Sequence, residues 1–187
     1  MENVIKVFEN DLNNIPVEYQ KSAGSARYSS GILYENLIKN ILENCNLIGK
    51  KNDYKRTEEV NGQCLKNLQV DWHVYKNSKM IKAIESKTYL DACYLKRAVM
   101  DFIELEHSPE VPDDVEYCIF AGQNACGKDA FAYYPAFFKK ITGKDLKIFF
   151  MHDSKRKSNK GIYKQENRHL FELNKNSLNE FVQWLNG

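Results

Sequence analysis

The sequence predicts an α/β domain in which a mixed central β-sheet is flanked by helices on both faces. Two patterns carry this prediction, because apolar residues recur every second position in some segments and every third to fourth position in others. Along the chain these segments follow one another as helix, two hairpin strands, helix, strand, helix, strand and helix. Such an alternation is typical of a sheet that is covered by helices.

The composition limits the class of protein. The chain has 187 residues, is 43% hydrophobic and carries a net charge of +2, which favours one folded domain spanning residues 1–187. Its apolar runs fall short of the ~20 residues that span a bilayer, and its N-terminus lacks the pattern of a signal peptide. The number of cysteines is five, with no Cys-x-x-Cys pair. We therefore expect a cytoplasmic protein with free thiols, neither inserted in a membrane nor secreted.

The first predicted helix follows a small, polar segment. Residues 22–31 predict a loop, and from residue 34 to residue 45 the apolar residues keep the spacing of one helix face. Ser29 or Ser30 is the expected N-cap, because a serine side chain accepts a hydrogen bond from a free N–H group in the first turn.

A β-hairpin is predicted next. Residues 68–75 alternate between apolar and polar side chains, with Asp71 and His73 on the polar face, which indicates a half-buried strand. The turn is expected at residues 76–79, and residues 80–87 form the return strand.

The second half of the chain alternates between helices and strands. Pro135 is expected in the first turn of one helix and Gly143 just past its end. Ser177 and Glu180 predict a capping box at the start of the last helix. The predicted elements are helix 91–107, strand 115–122, helix 133–142, strand 145–153 and helix 177–185.

Three residues of the hairpin carry the chemistry. The hairpin can place Asp71 beside Glu85, and Lys87 shares a face with Glu85 because it lies two residues further along the strand. Neighbouring carboxylates repel each other unless a cation compensates them, and Mg²⁺ accepts one or two carboxylates together with a phosphate. Lys87 beside such an ion could hold or help deprotonate a water, which suits hydrolysis of a phosphodiester. An exposed cross-strand salt bridge is the alternative use of the same residues.

Asp71 followed by Glu85-Ser86-Lys87 after a hairpin, with a helix before and a helix after, resembles the PD-(D/E)XK nuclease superfamily. The stretch IKAIESKTYLDACYLKRAVMDF is similar to type II restriction endonucleases. The resemblance covers a catalytic core of about residues 30–150 by the order of elements, and at the residue level it is limited to the motif. The proline of the motif name is absent, since Val70 precedes Asp71.

The resemblance implies a restriction-endonuclease-like core and a homodimer that cleaves double-stranded DNA at specific sites, leaving 5′-phosphate and 3′-hydroxyl ends. It implies that Asp71, Glu85 and the Ser86 backbone carbonyl bind Mg²⁺ and that Lys87 orients the water. Glu35, on the first predicted helix, is the candidate for an additional site acid, with an exposed helix carboxylate as the alternative. The alternative functions are a repair or junction-resolving nuclease of the same superfamily and a catalytically inactive DNA-binding module.

The basic C-terminal segment, residues 152–187, is a candidate for DNA contact. Residues 151–187 hold seven basic and four acidic residues, a net charge of +3, and the densest cluster is residues 152–164. Lysine and arginine there would neutralise phosphate charge, and a solvated loop is the alternative. The candidate phosphate-contacting residues are Lys155, Arg156, Lys157 and Lys160.

Sequence recognition would need side chains at the edges of bases. Gln123 and Asn124, in a predicted loop, are residue types that hydrogen-bond adenine, and Arg156 and Lys157 are types that bond guanine. Turn or solvent-exposed residues are the alternative for each. His73 could lie near the metal or be a bystander on the polar face of its strand. The sequence contains no glycine-rich phosphate loop, so we expect no nucleotide cofactor.

Overall fold

The computed structural model describes the chain at residues 1–21, 23–51, 53, 59–60, 63–64, 70–153 and 171–187. The side chains of residues 14–28, 59–60 and 63–64 lie outside this description. The elements in chain order are α1 (Glu2–Lys21), α2 (Ala23–Asn44), β1 (Ile48–Lys50), β2 (Glu59–Val60), β3 (Gln63–Cys64), β4 (Trp72–Lys76), β5 (Lys79–Leu90), α3 (Ala92–Glu106), β6 (Glu116–Asn124), α4 (Lys128–Thr142), β7 (Leu146–Phe150) and α5 (Lys175–Asn186).

Five strands form the main sheet, in the order β1-β4-β5-β6-β7. Strands β1, β4 and β5 pair antiparallel, whereas β5, β6 and β7 pair parallel. The sheet is therefore mixed, and the predicted α/β class is confirmed. Strands β2 and β3 pair with each other in a separate two-stranded sheet.

Helices cover both faces of the main sheet. Helices α1, α2 and α5 enclose one apolar core with side chains of β4, β6 and β7, and helices α3 and α4 enclose the other. Helix α3 connects β5 to β6, and α4 connects β6 to β7. Because parallel crossovers are right-handed and both step in the same direction across the sheet, the two helices lie on the same face. Among the described residues, no helix combines the length and the apolar character that a bilayer crossing requires.

The hairpin of β4 and β5 is present with the predicted turn. Asn77 and Ser78 have positive φ values of 50° and 65°, which suits the two central residues of a tight hairpin turn. The strand boundaries differ from the prediction. Asp71 precedes the first residue of β4 rather than lying in mid-strand, because the pairing with β5 ends at Trp72 opposite Ile84.

The half-buried character predicted for this strand is wrong. Trp72, His73 and Val74 are all buried, because helices cover the sheet on both faces. A strand in this position has no solvent-facing side, so His73 lies in the interior.

The N-terminal third contains more helix than the sequence pattern indicated. Helix α1 was not predicted, and residues 22–31 were expected to form a loop, whereas α2 already begins at Ala23. Ser29 and Ser30 therefore lie inside a helix, and neither is the N-cap. Val4, Phe8 and Leu12 of α1 are buried in the same core as α2. This tertiary packing outweighs the weak helix propensity of glycine and serine.

Helix ends in the second half agree with the prediction in part. Asp91 caps α3 by accepting a hydrogen bond from Tyr94 N–H at 2.8 Å, and Gly143 ends α4 in the left-handed conformation at φ 75°. Pro135 lies in the interior of α4 rather than in its first turn, because that helix already begins at Lys128.

The predicted capping box of α5 is wrong. Asn174 is the N-cap, since its side chain accepts a hydrogen bond from Ser177 N–H at 2.9 Å, and the helix begins at Lys175. Asparagine and serine are both good caps, so local sequence alone did not distinguish them.

Candidate active site

A cavity of about 240 Å³ opens between α2, the second half of β5 and α3. All the residues proposed as catalytic or as metal ligands line it. They are Glu35, Asp71, Glu85, Ser86 and Lys87. The cavity thus joins residues from α2, from the segment before β4 and from β5.

The ends of the strands explain where the cavity forms. Strand β4 ends its pairing opposite Ile84, whereas β5 continues to Leu90 beside β6. From Glu85 onward, β5 is therefore paired on one edge by β6 and lies open on the β4 side. The backbone N–H of Ser86 donates to Asp71 Oδ2 at 2.8 Å, which holds that carboxylate against the strand.

Lys87 joins the two carboxylates. Its ammonium group forms an ion pair with the Glu85 carboxylate and lies 3.3 Å from Asp71 Oδ2. The Glu85 side chain is only 2% exposed, whereas that of Asp71 is 28% exposed. The expected alternative, an exposed salt bridge, does not describe this cluster, because its central carboxylate is buried.

Burial sets the electrostatics of the cluster. Burial raises the pKa of the Glu85 carboxyl above its ordinary value, even though the charge of Lys87 opposes that change. For Lys87, burial lowers the pKa, but the charges of Glu85 and Asp71 outweigh it, so the pKa of the ammonium group is raised overall. Glu85 and Lys87 therefore each compensate the charge of the other.

One oxygen of Glu85 is left without a donor. Glu85 Oε1 is buried, and among the described residues no group hydrogen-bonds to it. A buried acceptor without a partner costs about 1–3 kcal/mol, and such atoms in native proteins call for an explanation, a missing ion among them.

The carboxylate oxygens of the cavity belong to the class of hard ligands that Mg²⁺ accepts. Within the described residues, no three His, Cys, Asp or Glu side chains form a metal-binding group. Asp71 and Glu85 are the two carboxylates that Lys87 joins, and the Glu85 oxygen without a donor among the described residues is one possible ligand atom. Two carboxylates suit Mg²⁺, which retains several waters and does not need a cage of protein ligands. The Ser86 backbone carbonyl as a further ligand stays a prediction.

Glu35 faces the cavity from α2. Its carboxylate pairs with Lys51, and its side chain is 31% exposed. The location agrees with an additional site acid, and the partial exposure agrees equally with a helix carboxylate that forms a surface ion pair.

Other proposed site residues lie elsewhere. His73 does not line the cavity. Its Nδ1 accepts the Asp53 N–H at 3.2 Å, and burial lowers its pKa to about 4. Gln123 and Asn124 belong to the end of β6 rather than to a loop. Gln123 is buried, and Asn124 Oδ1 accepts the Cys126 N–H at 2.9 Å, which is the turn role given as the alternative. The predicted phosphate contacts, Lys155, Arg156, Lys157 and Lys160, lie outside the described residues.

Helix α3 contributes cavity residues that the sequence reasoning missed. Tyr94, Arg97 and Asp101 line the wall formed by this helix. They are spaced three and four residues apart and so share one helix face. The buried residues of α3 occupy the adjoining face, and that amphipathic pattern was the available signal.

Comparison of the chain with models of protein families, with curated proteins and with solved structures found no match. The function is therefore inferred from the mixed α/β fold and the cavity at β5. The cavity unites two carboxylates, a lysine and a buried oxygen that lacks a donor.

Proposed function

We propose that this protein is a Mg²⁺-dependent endonuclease that cleaves double-stranded DNA at specific sites, with a restriction-endonuclease-like core. One observation carries the proposal: Asp71, Glu85 and Lys87 meet in one cavity, and a buried oxygen of Glu85 has no donor among the described residues. The fold supports it, because helix α2 precedes the hairpin of β4 and β5 and helix α3 follows it. This is the order of elements on which the resemblance to type II restriction endonucleases depends.

The residues divide the reaction between them. Asp71 and Glu85, with the Ser86 carbonyl, hold the ion, and Lys87 donates hydrogen bonds to the attacking water. When bound, Mg²⁺ stabilises charge on the phosphate and lowers the pKa of a bound water. The Ser86 N–H keeps Asp71 in place, so the carboxylate is oriented before a ligand arrives.

Lys87 has a second role in this site. Its ammonium group already lies between the two carboxylates, so it reduces their mutual repulsion in the absence of a cation. With a cation bound between the carboxylates, the Lys87 ammonium group would be available to donate to the water and to a phosphate oxygen. Cleavage at the 3′-oxygen leaves the 5′-phosphate and the 3′-hydroxyl that the resemblance implies.

The partners follow from the same proposal. A two-fold homodimer would place two cavities on the two strands of a palindromic site. The basic C-terminal segment, with Lys155, Arg156, Lys157 and Lys160, would contact DNA phosphates. Both statements stay predictions.

The test is a digestion of a large phage genome with Mg²⁺ and with EDTA. Wild-type protein, Lys87→Ala and Lys79→Ala are compared. Lys79 lies at the start of the same strand, is exposed and pairs with Asp114 far from the cavity, so it is a matched control. We expect discrete bands that need Mg²⁺, that persist in Lys79→Ala and that are absent for Lys87→Ala.

Other outcomes separate the alternatives. Cleavage confined to branched DNA would favour a repair or junction-resolving nuclease. Binding of DNA without cleavage under any divalent metal would favour an inactive binding module. Cleavage by Lys87→Ala at the wild-type rate would contradict the assignment of the site.

A further inference from the structure

Among the described residues, two cationic side chains line the cavity, and they differ in exposure and in ion pairing. Lys87 is held between Glu85 and Asp71, and its side chain is 20% exposed. Arg97 lines the α3 wall of the cavity and is 62% exposed. Its ion pair with Asp101 is long, with 3.9 Å from Nε to Oδ2.

Among the described residues that line the cavity, carboxylates outnumber cationic side chains. Four carboxylates line it, those of Glu35, Asp71, Glu85 and Asp101. Each phosphate of a nucleic acid backbone brings another negative charge. Lys87 is committed to two of the carboxylates, and Arg97 is the lining residue whose charge still faces solvent.

We infer that Arg97 binds a phosphate of the DNA backbone next to the one that is cleaved, an inference that rests on the proposed nuclease function. The guanidinium group presents a planar fork of donors that matches two phosphate oxygens. The donors lie on the helix face that looks into the cavity, three residues from Tyr94 and four from Asp101. The side chain thus anchors the strand across the cavity from Lys87.

The test measures binding without catalysis. Fluorescence anisotropy of a labelled duplex is recorded in EDTA over a range of salt concentrations for wild type, Arg97→Ala, Arg97→Lys and Lys96→Ala. Lys96 is the exposed neighbour on α3 that does not line the cavity, so its replacement removes the same charge from the same helix turn.

We expect Arg97→Ala to bind roughly tenfold more weakly and to lower the slope of log K against log salt by about 1, the value for one lost phosphate contact. Arg97→Lys keeps the charge and the slope but loses the fork, so its affinity falls by a smaller factor. Lys96→Ala matches wild type. Far-ultraviolet circular dichroism and thermal unfolding confirm that each variant is folded, which is expected for exposed helix positions.

Three results would overturn the inference, each in a distinguishable way. If Arg97→Ala and Lys96→Ala have the same affinity while wild type binds and cleaves DNA, Arg97 contacts no phosphate and the nuclease proposal stands. If Arg97→Ala weakens binding without changing the salt slope, the effect is structural. If wild type neither binds nor cleaves duplex DNA, the proposed function itself fails and the inference fails with it.

Discussion

Tyr34 and Glu35 are adjacent on α2, yet they belong to two polar clusters of different character. Glu35 faces the charged cavity. Tyr34 points into the core, where its hydroxyl donates to His152 Nε2 at 2.7 Å. His152 Nδ1 lies 3.1 Å from the Glu172 carbonyl oxygen, so Nδ1 carries the proton and Nε2 accepts.

The Tyr34–His152 cluster is neutral and satisfied. Both ring nitrogens of His152 have partners, and both side chains are buried. Burial lowers the pKa of His152 to about 4 and raises that of the Tyr34 hydroxyl, so the pair stays uncharged at neutral pH. The cluster connects α2 to the end of β7 and to the segment before α5, where Asn174 N–H also donates to the Met151 carbonyl at 2.7 Å.

The neutral cluster and the charged cluster differ in whether their buried polar atoms have partners. A buried polar network that is fully satisfied rigidifies a core, whereas the charged cluster of Asp71, Glu85 and Lys87 leaves the Glu85 Oε1 atom without a donor. We therefore expect the charged cluster to contribute to catalysis at some loss of stability, and the neutral cluster to contribute to stability alone.

The largest effect is expected from replacing the buried ion pair. Glu85→Leu combined with Lys87→Met removes both charges and retains apolar volume. We expect cleavage to fall by at least about 10²–10³-fold. The free energy of unfolding in urea should stay the same or rise by about 1 kcal/mol or more, because apolar side chains often replace a buried ion pair without loss. A decrease of more than about 2 kcal/mol would show that the pair stabilises the fold.

The next effect concerns pH and the neutral cluster. The folded pKa of His152 lies below its ordinary value of 6.5, at about 4. Its stabilising contribution is therefore complete above pH 6.5 and is lost as the pH falls toward 4, because the unfolded chain binds the proton first. The loss amounts to about 3 kcal/mol.

The measurement is urea unfolding at pH 7 and at pH 4 for wild type and for Tyr34→Phe/His152→Phe, which removes the titrating ring and its phenol partner together. The variant should lose less stability between the two pH values, by about 3 kcal/mol. Equal losses in the two proteins would mean that His152 is protonated in the folded state at pH 7 or that it is not buried.

A smaller effect is expected at Gly122, beside the neutral cluster. A Cβ at this position would lie 2.5 Å from Tyr34 Oη and would also collide with the Thr88 carbonyl oxygen. Both neighbours are held in place, since Tyr34 is hydrogen-bonded and the other atom belongs to the backbone. Gly122→Ala should lower the free energy of unfolding by about 1–3 kcal/mol, as overpacking does.

Gly31 provides the comparison on the cavity side. It lies in α2, and a Cβ there would meet nothing within 4 Å. Gly31→Ala should raise the free energy of unfolding by about 0.5–1 kcal/mol, because alanine favours helix over glycine. If the two glycine variants changed stability equally, the tight packing described at Gly122 would be incorrect.

Several features could be predicted because they depend on residues close in the chain. The hairpin of β4 and β5, its turn at residues 76–79 and the end of α4 at Gly143 each result from contacts over a few positions. The contact of Asp71 with Glu85 and Lys87 could also be predicted, because one hairpin brings these residues together. The Ser86 N–H and the Lys87 ammonium group, which bind Asp71, are 15 and 16 residues from it in the chain.

Other features could not be predicted, because they depend on distant segments. Tyr34 and His152 are 118 residues apart, so no local pattern relates them. The first turns of α2 form where the sequence favours a loop, and helix α1, which was not predicted, buries Val4, Phe8 and Leu12 in the same core as α2. Asn174, the cap of α5, donates its backbone N–H to the carbonyl oxygen of Met151, a contact between distant residues that local sequence does not indicate.

By itself the sequence determined the alternation of strands and helices and the presence of two carboxylates and a lysine at one end of a hairpin, because side-chain periodicity is a local property. The tertiary structure decided which of these groups are buried. Because helices cover both faces of the sheet, His73 is an interior residue and Glu85 Oε1 is buried without a donor among the described residues. The packing of α3 on the sheet places Arg97 at the cavity. Burial depends on every segment that packs nearby, so local sequence does not determine it.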